Sequence, residues 1–423
     1  MFHPGFRRTL LSLCGLLGTL LLSANSHAEL PAPVSRLLDL TAQRLSIADD
    51  VAHTKWNTHG AIEDLARERQ VVTDTAALAA RQGVPEALAR EYISAQIEAN
   101  KTVQWTLHRE WTRANTPAFA KTADLAGDIR PRLDALTPRL IDALAKASPQ
   151  LASSNAAEML AARPQTIDAL AWKVALAPLT ARARAQAGES RLDTVQRSGL
   201  LRICMTGDYK PFTIWRREAF AFEGVDVEMG RQLAASLKVD VQFVPTTWAT
   251  LMADFQANRC DLVSGGVSVT LDRARNAFFS VPVQTDGKTP IVRCADKDRY
   301  QTLAQIDQPD VRVIVNPGGT NERFARATLK QAKLTLFPDN VTIFDEILHN
   351  RADVMMTDAI ETQLQQKQHP GLCAVHPDKP FTVSEKAYLL PGGDVVFKEY
   401  VDQFLHINLI DGSYARLLDG WLK

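Results

Sequence analysis

The sequence predicts two folded units of different class: an all-α unit over about residues 29–186 and an α/β unit over about 192–423, joined by a linker at 187–191. Three observations carry this. The chain has 423 residues, whereas a typical single domain has roughly 100 to 200. Between about 31 and 186 it is rich in Ala, Leu, Arg, Glu and Gln, with apolar residues at helical spacing and no convincing period-two run. From Leu192 onward, short β-branched or apolar runs alternate with helical segments.

Taken in order, the chain opens on an address. Arg7 and Arg8 precede an apolar stretch from Leu10 to Leu22, and Ser26-His27-Ala28 has the small residues that flank a signal-peptidase cut, so residues 1–28 are read as a signal peptide. The stretch is too short to favour a membrane span. One long helix is expected over 34–80, bent at Gly60, because glycine inside a helix costs about 1 kcal/mol relative to alanine. A second starts at Pro85, a favoured first-turn residue, and runs to Arg113; others cover 129–147 and 155–187. Strands are expected at 200–204, 239–244, 262–264, 311–315 and 354–356, and their alternation with helices predicts mostly parallel sheets.

Lys plus Arg and Asp plus Glu both total 48, which removes the broad basic field that nucleic-acid or acidic-membrane binding needs. Small molecules are the expected partners, and monomer and homo-oligomer both stay open. Beyond the signal, the cysteines are Cys204, Cys260, Cys294 and Cys373, with no pair at zinc-knuckle spacing. In an oxidising compartment they are disulfide candidates. Cys294 closes one predicted strand and Cys373 precedes another, which favours that pairing; buried free thiols are the alternative.

In the helical unit, Arg44, Lys55 and Arg67 are 11 and 12 residues apart, near whole numbers of turns, so one long helix would line them along a common face, with Asp64 one turn before Arg67. Asn100 and Gln104 share a face of the next helix. By themselves such charges describe a solvated surface. The run QRLSIAD at 43–49, Lys55-Trp56, Ile62-Glu63-Asp64 with Arg67, Gln96-Ile97, and Leu136 to Arg139 together resemble the secreted, all-helical chorismate mutases. That resemblance implies a site where Arg44, Arg67 and Arg139 bind carboxylates, Lys55 and Gln104 face the ether oxygen, and Asp64 and Asn100 meet the substrate hydroxyl. The rearrangement is pericyclic. Holding a compact conformer and stabilising charge on the breaking ether oxygen suffice, without an acid, a base or a cofactor. Many relatives place glutamate where this chain has Gln104, and Val71 stands where some carry a polar contact.

In the α/β unit, TGDYKPF at 206–212 and SGGVSVTLDR at 264–273 resemble periplasmic polar-amino-acid-binding proteins, which use a serine and an arginine here for a ligand carboxylate; Ser268 and Arg273 match. The resemblance implies a two-lobed, type II binding-protein fold, lobe 1 at about 192–286 and 387–423, lobe 2 at about 287–386. MMTDAIE at 355–361 enters a helix with two carboxylates three residues apart, Asp358 and Glu361. Locally that describes capping by Thr357 and acids complementing a helix dipole.

With DGKTP, NPGGTNERFA, PDNVTIF, CAVHP, EKAYLLP and YVDQFLHI, the unit resembles periplasmic cyclohexadienyl dehydratase over nearly all of 190–423. The implied reaction converts prephenate to phenylpyruvate and arogenate to phenylalanine, with no metal or cofactor. Glu361 would be the general acid, its pKa raised by burial and by Asp358. Ser268, Arg273, Lys288 and the loop carrying Asn316, Thr320 and Asn321 would hold carboxylates, while Asp208, Tyr209 and Trp248 would line the cleft. Chorismate, prephenate and arogenate are then the expected substrates. The competing expectation is a mutase fused to a noncatalytic amino-acid receptor; a scaffolding helical unit is blander still.

Overall fold

The computed structural model describes residues 30–183 and 188–423. The signal-peptide reading lies outside them, as does residue 187 of the expected linker. Among the described residues no helix is long and apolar enough to cross a membrane.

The N-terminal half is helical. Its long Glu86–Arg113 helix packs against Ala169–Thr180, Leu65–Arg81 and Ala48–Thr58. Leu37, Leu40, Tyr92, Leu140, Leu144 and Trp172 fill the space between helices, and the Tyr92 phenol meets the Thr41 hydroxyl at 2.7 Å. The single helix expected over 34–80 is three: Ala32–Leu45, Ala48–Thr58 and Leu65–Arg81. His59 ends the second in the left-handed region, φ 52°, and Asp64 starts the third by accepting the Arg67 amide at 3.0 Å. A side chain that caps a backbone N–H competes with continuing the helix. Asp64 is therefore an N-cap and not a mid-helix residue, and Arg44, Lys55 and Arg67 ride on three helices. The helix expected over 155–187 is likewise broken into Ala156–Ala161 and Ala169–Thr180. Pro164 disfavours helix at Arg163, and Asp168 caps the restart.

The C-terminal half holds two five-stranded sheets. One contains Leu200–Met205, Asp240–Pro245, Leu262–Val263, Ala277–Phe279 and Leu389–Pro391; the other contains Lys288–Arg293, Arg312–Val315, Lys333–Leu336, Val354–Asp358 and Leu372–Ala374. Both are mixed instead of mostly parallel. Two pairings in each are parallel, while Leu389–Pro391 in the first and Lys288–Arg293 in the second run against their neighbours because the chain returns between lobes there. The crossings themselves form a small two-stranded sheet, Gln284–Asp286 with Ser384–Lys386. Disulfides join Cys204 to Cys260 and Cys294 to Cys373.

The halves touch extensively. Lys173 pairs with Asp240 at 2.7 Å, Trp105 meets Trp215 with ring centroids 5.4 Å apart, and Arg259 pairs with Glu98 at 2.8 Å.

Candidate active sites

In the helical half, burial removes water from a set of polar groups that are left partly unpaired. Arg44 is buried, its guanidinium Nε lacks a partner, and desolvation pushes its pKa down against the pull of Tyr92 and Asp134. Lys55 donates to the Ile62 carbonyl at 2.9 Å. Burial lowers its pKa, opposed by the Glu68 carboxylate and reinforced by the Lys101 charge. Gln104 is buried; its amide NH2 donates to Asn100 Oδ1 at 2.6 Å, leaving its own Oε1 without a partner. A buried amide oxygen and guanidinium nitrogen with no partner cost free energy unless a ligand or water supplies one.

Three expected members are exposed: Asp64, whose charge still acts on Lys55, and two arginines. Arg67 is solvent-exposed. Arg139 is exposed and lines a cavity of about 420 Å3 with Arg36, Pro138 and Lys146. Sequence reading missed Arg130, whose charge acts on Lys55. Arg130 and Asp134, one turn apart on the Arg130–Ala147 helix, are charged neighbours of Lys55 and of Arg44 respectively, which ties both cations to one end of that helix. Arg139 is about two and a half turns beyond Arg130 and about one and a half beyond Asp134. Lys101 was also missed: it is 2 % exposed and pairs with Glu98 at 2.9 Å and Glu68 at 3.0 Å.

The C-terminal site forms where the strand Val354–Asp358 runs into the helix Ala359–Gln368. Asp358 is buried between two ammonium groups, Lys288 at 2.7 Å and Lys386 at 2.6 Å, and accepts from the Tyr209 hydroxyl at 2.8 Å. Burial alone would raise its pKa, but the two lysine charges overcome that and hold it far below the usual carboxylate range. Lys288 also donates to Thr320 Oγ1 at 3.0 Å and to Asn321, and Asn321 donates to Asn316 Oδ1 at 2.8 Å. From the other side, Lys386 donates to Ser268 Oγ at 2.9 Å. Lys386 is the main residue missed. It lies on a crossing strand, and EKAYLLP was the available signal.

One turn on, Glu361 is 1 % exposed and accepts a hydrogen bond from Thr357 Oγ1. Desolvation raises its pKa to about 8, opposed by the Thr357 hydrogen bond and aided by the Asp358 charge. Thr357 thus serves Glu361 and does not cap the helix; Asp358 occupies the N-cap position without a side-chain cap bond. Asp208 accepts from Trp248 Nε1 at 3.0 Å. The buried Arg273 donates to the Ser268 carbonyl at 2.8 Å, and desolvation lowers its pKa to about 10.

Tyr209, Trp248, Ser268, Asn316, Asn321 and Lys386 line a cavity of only about 20 Å3, room for a water molecule. Glu361 and Asp208 line an adjacent cavity of about 280 Å3, with Asn340 common to both. A ring-sized ligand exceeds the smaller of these two cavities.

The bacterial extracellular solute-binding proteins, family 3, match residues 201–423, and chorismate mutase type II matches 35–105. A cyclohexadienyl dehydratase of Pseudomonas aeruginosa is 52 % identical over 260 residues, 62 % of this chain and 96 % of that protein. A secreted chorismate mutase of Mycolicibacterium smegmatis is 31 % identical over 129 residues, 30 % of this chain and 71 % of that one. Among solved structures, an ancestral amino acid-binding protein described as a precursor of cyclohexadienyl dehydratase is 32 % identical with a TM-score of 0.52, covering 55 % of this chain and all of its own.

Proposed function

The chain belongs to the family 3 bacterial extracellular solute-binding proteins and carries a chorismate mutase region ahead of that domain, and on this premise we propose that it is an exported, bifunctional periplasmic enzyme of phenylalanine biosynthesis. The first unit rearranges chorismate to prephenate; the second converts prephenate to phenylpyruvate, and arogenate to phenylalanine. Domain limits of 29–186 and 192–423 belong to the same proposal.

For the rearrangement, Arg44, Arg67 and Arg139 are the proposed carboxylate ligands, with Lys55 and Gln104 at the ether oxygen and Asp64 and Asn100 at the hydroxyl. Support is strongest for the buried members. Arg44 and Gln104 hold unpaired polar atoms in place before substrate arrives, so little reorganisation is left for the transition state. The exposed Arg67 and Arg139 have the weaker geometric case, and Arg130 competes with Arg139 for its role.

For the second reaction the supporting observation is Glu361: a buried carboxyl with its pKa near 8, one turn past a carboxylate that two lysines keep ionised. Protonated Glu361 gives its proton to the ring hydroxyl, and the C–O bond breaks to release water. The ring carboxylate leaves as carbon dioxide, its bonding pair completing the aromatic ring, and Glu361 is reprotonated from solvent. Lys288, Lys386, Ser268 and Arg273 would bind the substrate carboxylates, supported by the second-lobe residues Asn316, Thr320 and Asn321. Asp208, Tyr209 and Trp248 would shape the ring pocket.

The test supplies chorismate alone to the purified protein and follows its loss and phenylpyruvate formation. Wild type is expected to yield phenylpyruvate, Glu361→Gln to stop at prephenate and Lys55→Gln to leave chorismate unused. Wild type stopping at prephenate would make the second unit a receptor.

A further inference from the structure

The dehydration proposed above consumes a proton. Two carboxylates enter with prephenate and one leaves with phenylpyruvate, while carbon dioxide and water are neutral, so each turnover takes up one proton from solvent. Glu361 gives that proton and has to regain one before the next turnover, yet it is only 1 % exposed. On the substrate side its neighbour is Thr357, whose hydroxyl donates to Glu361 and accepts from the Asn321 amide at 3.1 Å. Asn321 lines the small cavity together with Ser268 and Lys386, so a substrate held by these groups stands between Glu361 and solvent on that side.

Glu361 also lines the cavity of about 280 Å3, whose wall includes none of the proposed carboxylate ligands. That wall is exposed at Val341, Thr342 and Gln368, so the cavity reaches the surface. Liquid water takes about 30 Å3 per molecule, and the space accommodates several. Two lining residues keep buried side-chain oxygens without a partner among the described residues, Asn340 Oδ1 and Gln365 Oε1. Gln365 is one turn beyond Glu361 on the same helix and shares its face. Asn340 is anchored by its amide, which donates to the Asp208 carbonyl at 2.9 Å. Buried acceptors left over beside a cavity of this size are places where water binds. Asp208 lines the cavity as well, and its charge favours the return of a proton to Glu361.

We propose that this cavity is the water channel through which Glu361 recovers its proton, with Gln365 and Asn340 holding the water that carries it. An O–H bond of the nearest water breaks as the Glu361 O–H bond forms; that water takes a replacement proton from the next, and the last is supplied by bulk solvent. The inference rests on the dehydratase reading above.

The test supplies prephenate directly to the full-length protein and compares a single turnover, with enzyme in excess, against steady-state kcat. Two variants obstruct the channel: Gln365→Leu removes the amide oxygen near its inner end, and Val341→Phe fills it from the exposed mouth. The first turnover starts from protonated Glu361, and proton recovery follows the irreversible loss of carbon dioxide. The single-turnover rate and kcat/KM are therefore expected to stay at wild-type values. kcat falls about tenfold, less than the roughly 10²- to 10⁴-fold worth of the acid itself, and its solvent deuterium isotope effect rises. An unchanged kcat in both variants overturns the inference. So does a single-turnover rate that falls along with kcat, which makes the cavity part of the substrate pocket, or a lower kcat with no added isotope effect, which makes it a product exit. Wild type that forms no phenylpyruvate from prephenate overturns the dehydratase reading itself, which separates the two failures.

Discussion

Arg259 in the C-terminal half reaches Glu98 in the N-terminal half at 2.8 Å while also holding Asp254 at 2.8 Å, so one largely buried guanidinium fastens the two units together. Glu98 in turn pairs with Lys101. The two catalytic units are thereby joined by more than a linker: a charge of one completes the electrostatics of the other.

Removing that guanidinium leaves Glu98 buried with one cation where it had two. Breaking a buried pair from one side costs about 3 kcal/mol, which for a chain of 423 residues lowers Tm by roughly 3 to 4 °C. Arg259→Met is expected to show this loss in thermal unfolding, with Arg259→Lys intermediate. An unchanged Tm in Arg259→Met would mean the pair contributes nothing.

Glu361→Gln removes the proposed proton donor with little change in shape. General acid catalysis contributes about 10²- to 10⁴-fold, and kcat for prephenate dehydration is expected to fall by that much. Wild-type kcat should decline as pH rises through about 8, since only the protonated acid is competent. A flat profile from pH 6 to 9 would exclude Glu361 as the acid.

The same carboxyl shapes stability. Its folded pKa lies above the ordinary 4.5, so between 4.5 and about 8 the native state binds more protons than the unfolded chain. Its contribution is fully present below pH 4.5 and lost as pH rises through 8. Relative to Glu361→Gln, wild type should therefore lose stability over that window, measured by unfolding at a series of pH values; a constant difference would contradict the shift.

Asp358 offers each oxygen to a lysine, so the ammonium of arogenate finds no free acceptor there, whereas the lysines suit extra carboxylate. Prephenate is expected to have the higher kcat/KM, with Lys386→Met raising the prephenate KM and moving the ratio towards arogenate. An arogenate preference in wild type would count against this arrangement.

The disulfides differ in access. Cys204 and Cys260 are fully buried, whereas Cys294 is exposed. Mild reductant followed by alkylation should label Cys294 and Cys373 first, as read by peptide mass; earlier labelling of Cys204 would contradict the burial.

Much of this was legible in the sequence because it is written locally. Helical spacing and β-branched runs report which residues face a core, and so both fold classes, a strand over 354–356 that the structure extends to Val354–Asp358, and the Asp358–Glu361 pair could be read directly. Breaks were harder. Asp64 and Asp168 look like ordinary helix-surface acids until their side chains are seen taking backbone N–H groups.

What tertiary structure decided was pairing and burial. Lys386 meets Asp358 across 28 residues of chain, and Arg259 meets Glu98 across 161. No periodicity encodes such distances. Ionisation depends on them: whether a carboxyl stays charged like Asp358 or holds its proton like Glu361 follows from which cations and how little water the folded chain brings to it. The sequence by itself determined the two fold classes and the types of group available for chemistry; the folded structure decided which of those groups are desolvated, which are neutralised and which remain free to act.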